Sequence, residues 1–262
     1  MSHPNMAPLS STASPDLAQL HTVITAMCDM WDATLNEADV TYRAELDAPR
    51  AVGIRTHAHH AVQTARALLQ LDTMTQGIEL LPLVRLIFEC GITAAWLLVT
   101  DGSGQALIRD GAAQRRKALE SAAMPPSDDQ SSLKQVRRVL DELEGASSFA
   151  FEQRCLALDG GAHLYLMFRI LSAESHAGLA IADFYSVADD SSNIGLSFNP
   201  DAASSIRPAT IGIAACMLLL ALNAEELARA RPHRTTQIAK AAKRLGVSTR
   251  IVRADGFELP KR

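Results

Sequence analysis

Aromatic side chains are scarce in this chain, at 5%, and alternating Val, Thr and Tyr segments with turns between them are nearly absent. Ala and Leu dominate instead, which favours helices over sheet. Cysteine is sparse as well. Cys28, Cys90, Cys155 and Cys216 stand far apart in apolar settings, with no Cys-x-x-Cys pair, so nothing supports a zinc ribbon or a redox motif. Buried free thiols in a reducing cytosol are the expectation, which makes the chain cytoplasmic. Gly102-Ser103-Gly104 lacks the strand, the lysine and the glycine spacing of a phosphate loop. Neither a serine-centred elbow nor a metalloprotease motif occurs. His57 and His60 share a helical face, but no carboxylate sits at i+4 of either to complete a metal site. No metal and no cofactor are therefore expected.

Long hydrophobic runs stop short of a membrane span. Pro208 to Ala224 is 17 residues without a charge and passes directly into Asn223-Ala-Glu-Glu. It reads as a buried core helix, and membrane association is not expected. Residues 1–14 are polar, rich in Pro and Ser, and lack the apolar core of a signal peptide, so they read as a disordered leader.

Charge is present but unevenly spread. From Arg229 to Arg262 there are ten Lys and Arg against two Asp and Glu, whereas the remaining chain carries 15 against 27. An acidic body with a basic tail places any polyanion contact at the C-terminus. Within this tail, Ala-x-x-Leu245-Gly246-Val247-Ser248 resembles the turn of a helix-turn-helix, although few residues remain for a recognition helix.

The pattern of apolar residues predicts one all-α domain of about seven helices over residues 15–230, followed by the basic tail at 231–262. Ser14-Pro15-Asp16 is a helix start, with Ser as N-cap and Pro at the first position. The first helix runs to about Glu37 and the second covers about Arg50 to Gln76. A third, from Pro82 to Thr100, is apolar nearly all round and belongs in a core. Helices at Gln105–Ala123 and Ser132–Glu144 follow, the latter amphipathic through Leu133, Val136, Leu140 and Leu143. Residues 161–187 and Pro208–Ala224 complete the set, with a long polar loop over 189–208.

The chemistry-bearing stretch is 161–187. Counting i, i+4, i+7 and i+11 from Tyr165 gives Tyr165, Arg169, Ser172 and His176 on one stripe. Leu164, Met167, Phe168 and Leu171 supply apolar cover. On the third helix Arg85 and Glu89 stand i, i+4 among apolar neighbours, and the stripe is the natural supplier of further partners for them. The third helix and the 162–175 helix are thus expected to pack together at the centre of the domain.

The segments Arg85-Leu-Ile-Phe-Glu89 and Tyr165-x6-Ser172-x3-His176 together resemble a family of bacterial helical proteins known only as a domain of unknown function, over about residues 80 to 225. More loosely, Arg169 and His176 are similar to the R-x(4–6)-H signature of HEPN-type domains, from which the chain departs by Ile170 directly after the arginine. That resemblance implies an all-helical homodimer and a metal-independent ribonuclease or RNA-binding protein of toxin or phage-defence type, with an antitoxin as a protein partner. Arg169 and His176 would be catalytic, and Tyr165, Ser172, Arg85 and Glu89 supporting. RNA brings its own nucleophile, the 2′-hydroxyl. What remains is a proton acceptor that titrates near neutrality, as histidine does, and a fixed charge for the phosphorane, as arginine supplies. The competing reading is a non-catalytic helical interaction module, in which the same Arg, Glu, Tyr, Ser and His side chains form a buried polar network.

Overall fold

The computed structural model describes residues 15–35, 37, 40–75, 77–121, 126–146, 149–176, 178–200 and 207–257, with 126–130 described by backbone alone. The leader at 1–14, including Ser14, lies outside the described residues. The chain is all-α. Among the described residues there are ten α-helices and one two-stranded hairpin. In chain order the helices are α1 (Leu17–Asp32), α2 (Ala48–Leu71), α3 (Leu81–Val99), α4 (Ser103–Ser121), α5 (Pro126–Glu142), α6 (Phe151–Leu156), α7 (Gly161–Ser175), α8 (Leu179–Tyr185), α9 (Arg207–Ala228) and α10 (Thr235–Leu245).

Local chemistry sets the boundaries. The first helix is capped by Asp16, whose Oδ1 accepts from the Gln19 amide at 2.8 Å while Gln19 Oε1 accepts from the Asp16 amide at 3.1 Å. This reciprocal pair satisfies two otherwise orphan donors, and it puts the cap two residues beyond the expected serine. Asp47 caps α2 through a single bond, accepting from the Arg50 amide at 2.8 Å. Gly246, at φ 68°, ends α10 in the left-handed conformation that only glycine adopts freely.

The core is built on α3, with α2 and α9 packed along it. Val84, Ile87, Phe88, Ile92, Trp96 and Leu97 on α3 are fully buried, as an apolar helix requires. Gly91 lets α9 come close, since a Cβ there would lie 2.6 Å from the carbonyl oxygen of Met217. The segments Ile78–Val99 and Arg207–Ala228 have the length and composition of membrane spans, but 67% and 72% of their apolar windows are buried inside the fold. They serve each other.

Several expectations need correction. Helix α7 is not central. It packs on the outer side of α3, burying Gly161 and Leu171 and leaving Leu166, Arg169 and Ile170 exposed. Helix α9 fills the central place instead, because its stretch Pro208–Ala224 carries no charge and most of its residues can be buried. The seven expected helices are joined by α6, α8 and α10, of which the first two are too short to show a period. Ser186–Ala188 and Leu196–Phe198 form an antiparallel hairpin, Ser186 opposite Phe198, at the edge of the stretch taken for a loop. No helix follows α10 among the described residues, so the helix-turn-helix lacks its recognition helix. Instead the chain runs extended: the Asp159 amide donates to Val252 O at 3.0 Å and the Ala254 amide to Ala157 O at 2.9 Å. The helical body therefore continues past residue 230. Ile238 and Ala242 of α10 are buried against α9 and α1, so the segment to 257 is docked rather than a free tail.

A second polar cluster lies at the C-terminal end of α9, where Glu225, Glu226, Arg229 and Arg234 are all buried. Arg229 Nε donates to both Glu225 carboxylate oxygens at 3.0 Å, and its Nη1 to Glu37 Oε2 at 2.6 Å. Arg234 spans Glu226, at 2.8 Å, and Glu225. The Arg55 and Arg234 guanidinium groups both lie against the buried Trp31 ring, their Cζ atoms 5.6 and 5.8 Å from its centroid. Burial by itself would raise the Glu226 carboxyl, but the backbone amide and guanidinium of Arg234 outweigh it and hold the group below its ordinary value.

Candidate functional site

The site forms where α7 crosses the first half of α3. Spacing i, i+4 puts Arg85 and Glu89 on the side of α3 that faces α7, and Arg85 Nε donates to Glu89 Oε1 at 3.0 Å. The Arg85 guanidinium lies over the Phe168 ring of α7, 5.3 Å from its centroid. Its Nη1 reaches Nε2 of His176 at 3.1 Å. A guanidinium only donates, so Nε2 is the acceptor here and the ring proton is assigned to Nδ1. His176 holds this position because it is the C-cap of α7. Its backbone is extended, with φ −95° and ψ 148°, and turns the chain toward α8.

The six residues singled out from the sequence are divided by the structure. Arg85, Glu89 and His176 come together. The side chains of Arg85 and Glu89 are 26% and 34% exposed, and His176 is exposed, so the trio sits at the surface rather than in a sealed interior. Tyr165 is half-buried against the core and stacks on Phe168, with ring centroids 6.3 Å apart. Ser172 is half-buried, and its Oγ has no hydrogen-bond partner among the described residues. Arg169 points to solvent and makes no hydrogen bond or ion pair among them. The stripe is real in its geometry, but only its last member forms a side-chain hydrogen bond to α3 among the described residues.

Beside the trio is an open cleft of about 500 Å³ lined by Arg85, Glu89, Phe168, Asp110, Lys117 and Arg154. Arg154 donates to Asp110 Oδ2 at 3.1 Å and lies over Trp96, 5.0 Å from its ring centroid. Phe151 and Phe168 pack with centroids 4.2 Å apart and give the cleft an aromatic wall. Lys117, on α4, is exposed and carries no ion pair among the described residues. Sequence reasoning missed Asp110, Lys117 and Arg154. The first and last meet across 44 positions, a separation no local period reveals. Phe168 was noticed only as apolar cover, yet it is the surface on which Arg85 rests.

Chemically, the arrangement offers a histidine whose acceptor nitrogen is held by a cation, a carboxylate that orients that cation, and a free lysine across the cleft. An anionic group entering between Arg85 and Lys117 would compete with His176 for the Arg85 donors. Compared with protein-family models, with curated proteins and with solved structures, the chain matches none of them.

Proposed function

We propose that the protein is a HEPN-like, metal-independent ribonuclease acting at the mouth of this cleft, with His176 as the proton acceptor and Arg85 and Arg169 as the phosphate-binding cations. One observation carries the reading: Arg85 Nη1 lies 3.1 Å from His176 Nε2 at an exposed position beside the cleft. A purely structural pair would be expected in a sealed interior. In the proposed reaction a phosphodiester draws the Arg85 donors onto its oxygens and frees Nε2. The 2′-hydroxyl then gives its proton to Nε2 as O2′ bonds to phosphorus. The P–O5′ bond breaks, the 5′-oxygen takes a proton from water, and a 2′,3′-cyclic phosphate remains. Arg85 stabilises the charge that builds on the phosphorane, and Arg169, about two turns back along α7, binds a neighbouring phosphate. Tyr165 supports α7 through its packing on the core and on Phe168.

The second reading, a non-catalytic interaction module, is favoured by a separate observation. Leu166 and Ile170 on α7, and Leu196 and Phe198 on the hairpin, are exposed, Phe198 to 74%. Gathered into one patch, such side chains would offer a surface for contact with another protein. Purified wild type, His176→Ala, Arg85→Ala and Arg169→Ala, incubated with total RNA with and without EDTA, separate the two. The nuclease reading expects cleavage by the wild type that EDTA spares and that each substitution abolishes. Absence of cleavage by the wild type, or cleavage undiminished in all three variants, overturns it.

A further inference from the structure

Between Thr235 and Arg253 the chain carries five Lys and Arg residues and no Asp or Glu. Three of them, Lys240, Lys243 and Arg244, lie on α10, whose rotation is fixed by burial of Ile238, Ala242 and Leu245. Helical geometry then gathers Thr236, Gln237, Lys240, Lys243 and Arg244 onto one outward stripe, and all five are exposed. Arg250 is exposed just beyond the turn at Gly246. Lys240, Lys243, Arg244 and Arg250 make no ion pair among the described residues. Arg154, Arg207, Arg229 and Arg234, by contrast, are each held by a carboxylate.

We propose that this ridge binds the phosphate backbone of a nucleic acid, at a surface separate from the Arg85–His176 cleft. Lys240 and the Lys243–Arg244 pair stand about one helical turn, or roughly 5.4 Å, apart. Thr236 and Gln237 add the neutral donors that commonly contact phosphate oxygens. The apolar face of α10 is spent on the core, so the helix has no exposed wedge of the kind an interfacial membrane helix inserts. Elsewhere the chain is acidic, with 15 Lys and Arg against 27 Asp and Glu outside residues 229–262, which concentrates attraction for a polyanion on this face. Asp16 and Asp29 border the clefts where α1 meets Arg244 and Lys240. The backbone therefore runs over the crest, past Lys243 and Arg250, rather than down those clefts.

The full chain carrying His176→Ala, which removes the proposed cleavage, is titrated into a fluorescein-labelled single-stranded RNA of mixed sequence, and anisotropy is followed from about 50 to 200 mM salt. With four phosphates neutralised on a single strand, the logarithm of the binding constant should fall with the logarithm of salt with a slope of roughly −3. Adding Lys240→Ala, Lys243→Ala and Arg244→Ala should flatten the slope by about two, at roughly 0.7 per lost contact. All three side chains are exposed, and a thermal melt confirms that the variant is folded. Lys243→Arg should bind as the parent does. The proposal is overturned if no binding occurs at the lowest salt, or if the triple variant keeps the parent's affinity and slope. It also falls if phosphatidylserine vesicles or poly-glutamate compete as well as RNA of equal charge. Salt-dependent binding by a wild type that cuts no RNA would count against the nuclease reading alone.

Discussion

Arg85 Nη1 meets His176 Nε2 at 3.1 Å across 91 positions of sequence, tying the middle helix of the core to the residue that ends α7. The same guanidinium binds Glu89 and rests on Phe168, so one arginine joins a carboxylate, an imidazole and an aromatic face. Because Glu89 is on the arginine's own helix, it orients the guanidinium without depending on α7.

Replacing Glu89 by Gln should therefore change stability little and activity much. The pair is about a third exposed, and exposed ion pairs contribute about 1 kcal/mol or less. In the competing reading of a buried polar network, loss of Glu89 would instead cost about 3–5 kcal/mol. Urea melts of Glu89→Gln should lie within about 1 kcal/mol of wild type, while RNA cleavage falls clearly. A loss of several kcal/mol would show that the pair is a structural bolt.

Glu225 is where a large stability effect belongs. Its carboxylate serves Arg229, Arg234 and Arg55, and it is fully buried. Glu225→Ala leaves those cations without their counter-charge and should cost about 3–5 kcal/mol, as broken buried pairs do. Chemical denaturation of the two proteins decides it, and a cost near zero would mean that Glu37 and Glu226 suffice.

Acid should unfold the protein in two stages. Burial is the largest influence on the His57 imidazole and lowers its pKa, against a weaker raising effect of its hydrogen bond to Gly53. A folded value below the ordinary 6.5 means that the unfolded chain takes up the proton first, so stability falls as pH drops below about 6.5. Glu37 and Glu226 are opposed by burial but held below 4.5 overall by their arginines, so they add a second loss below about pH 4.5. Calorimetric melting temperatures between pH 8 and 3 should bend at both points, and His57→Gln should remove only the first bend.

Gly91→Ala tests the α3–α9 contact. The new Cβ would stand 2.6 Å from a backbone oxygen of Met217, and backbone cannot swing aside as a side chain can. Forced separation of the two core helices should cost about 1–3 kcal/mol, as overpacking usually does. A variant melting with wild type would show that α9 slides freely on α3.

The long helices were legible in the sequence because caps and apolar periods are local. Pro82–Thr100 against Leu81–Val99, and Pro208–Ala224 against Arg207–Ala228, differ by a few residues. Which helix lies against which was less legible. The apolar cover of α7 invited a central place beside α3, yet α9 took it by offering no charge over 17 residues. At the site, Arg85 and Glu89 were readable from i, i+4 spacing, and their link to His176 was anticipated as contact between two helices. The separation of Arg169 from that trio was not readable, because a shared stripe fixes direction on one helix and says nothing of how far the neighbouring helix extends beneath it. Asp110 and Arg154 are a product of tertiary folding alone.

The pairing of residues 157–159 with 252–254 has a consequence for the order in which the molecule is made. The turn before α7 is fastened by Val252 and Ala254, so the base of the helix bearing Arg169 and His176 stays unfastened until the ribosome has added almost a hundred residues beyond it. The helices of the core can collapse well before that point, and the candidate site is among the last parts of the nascent chain to acquire its final geometry.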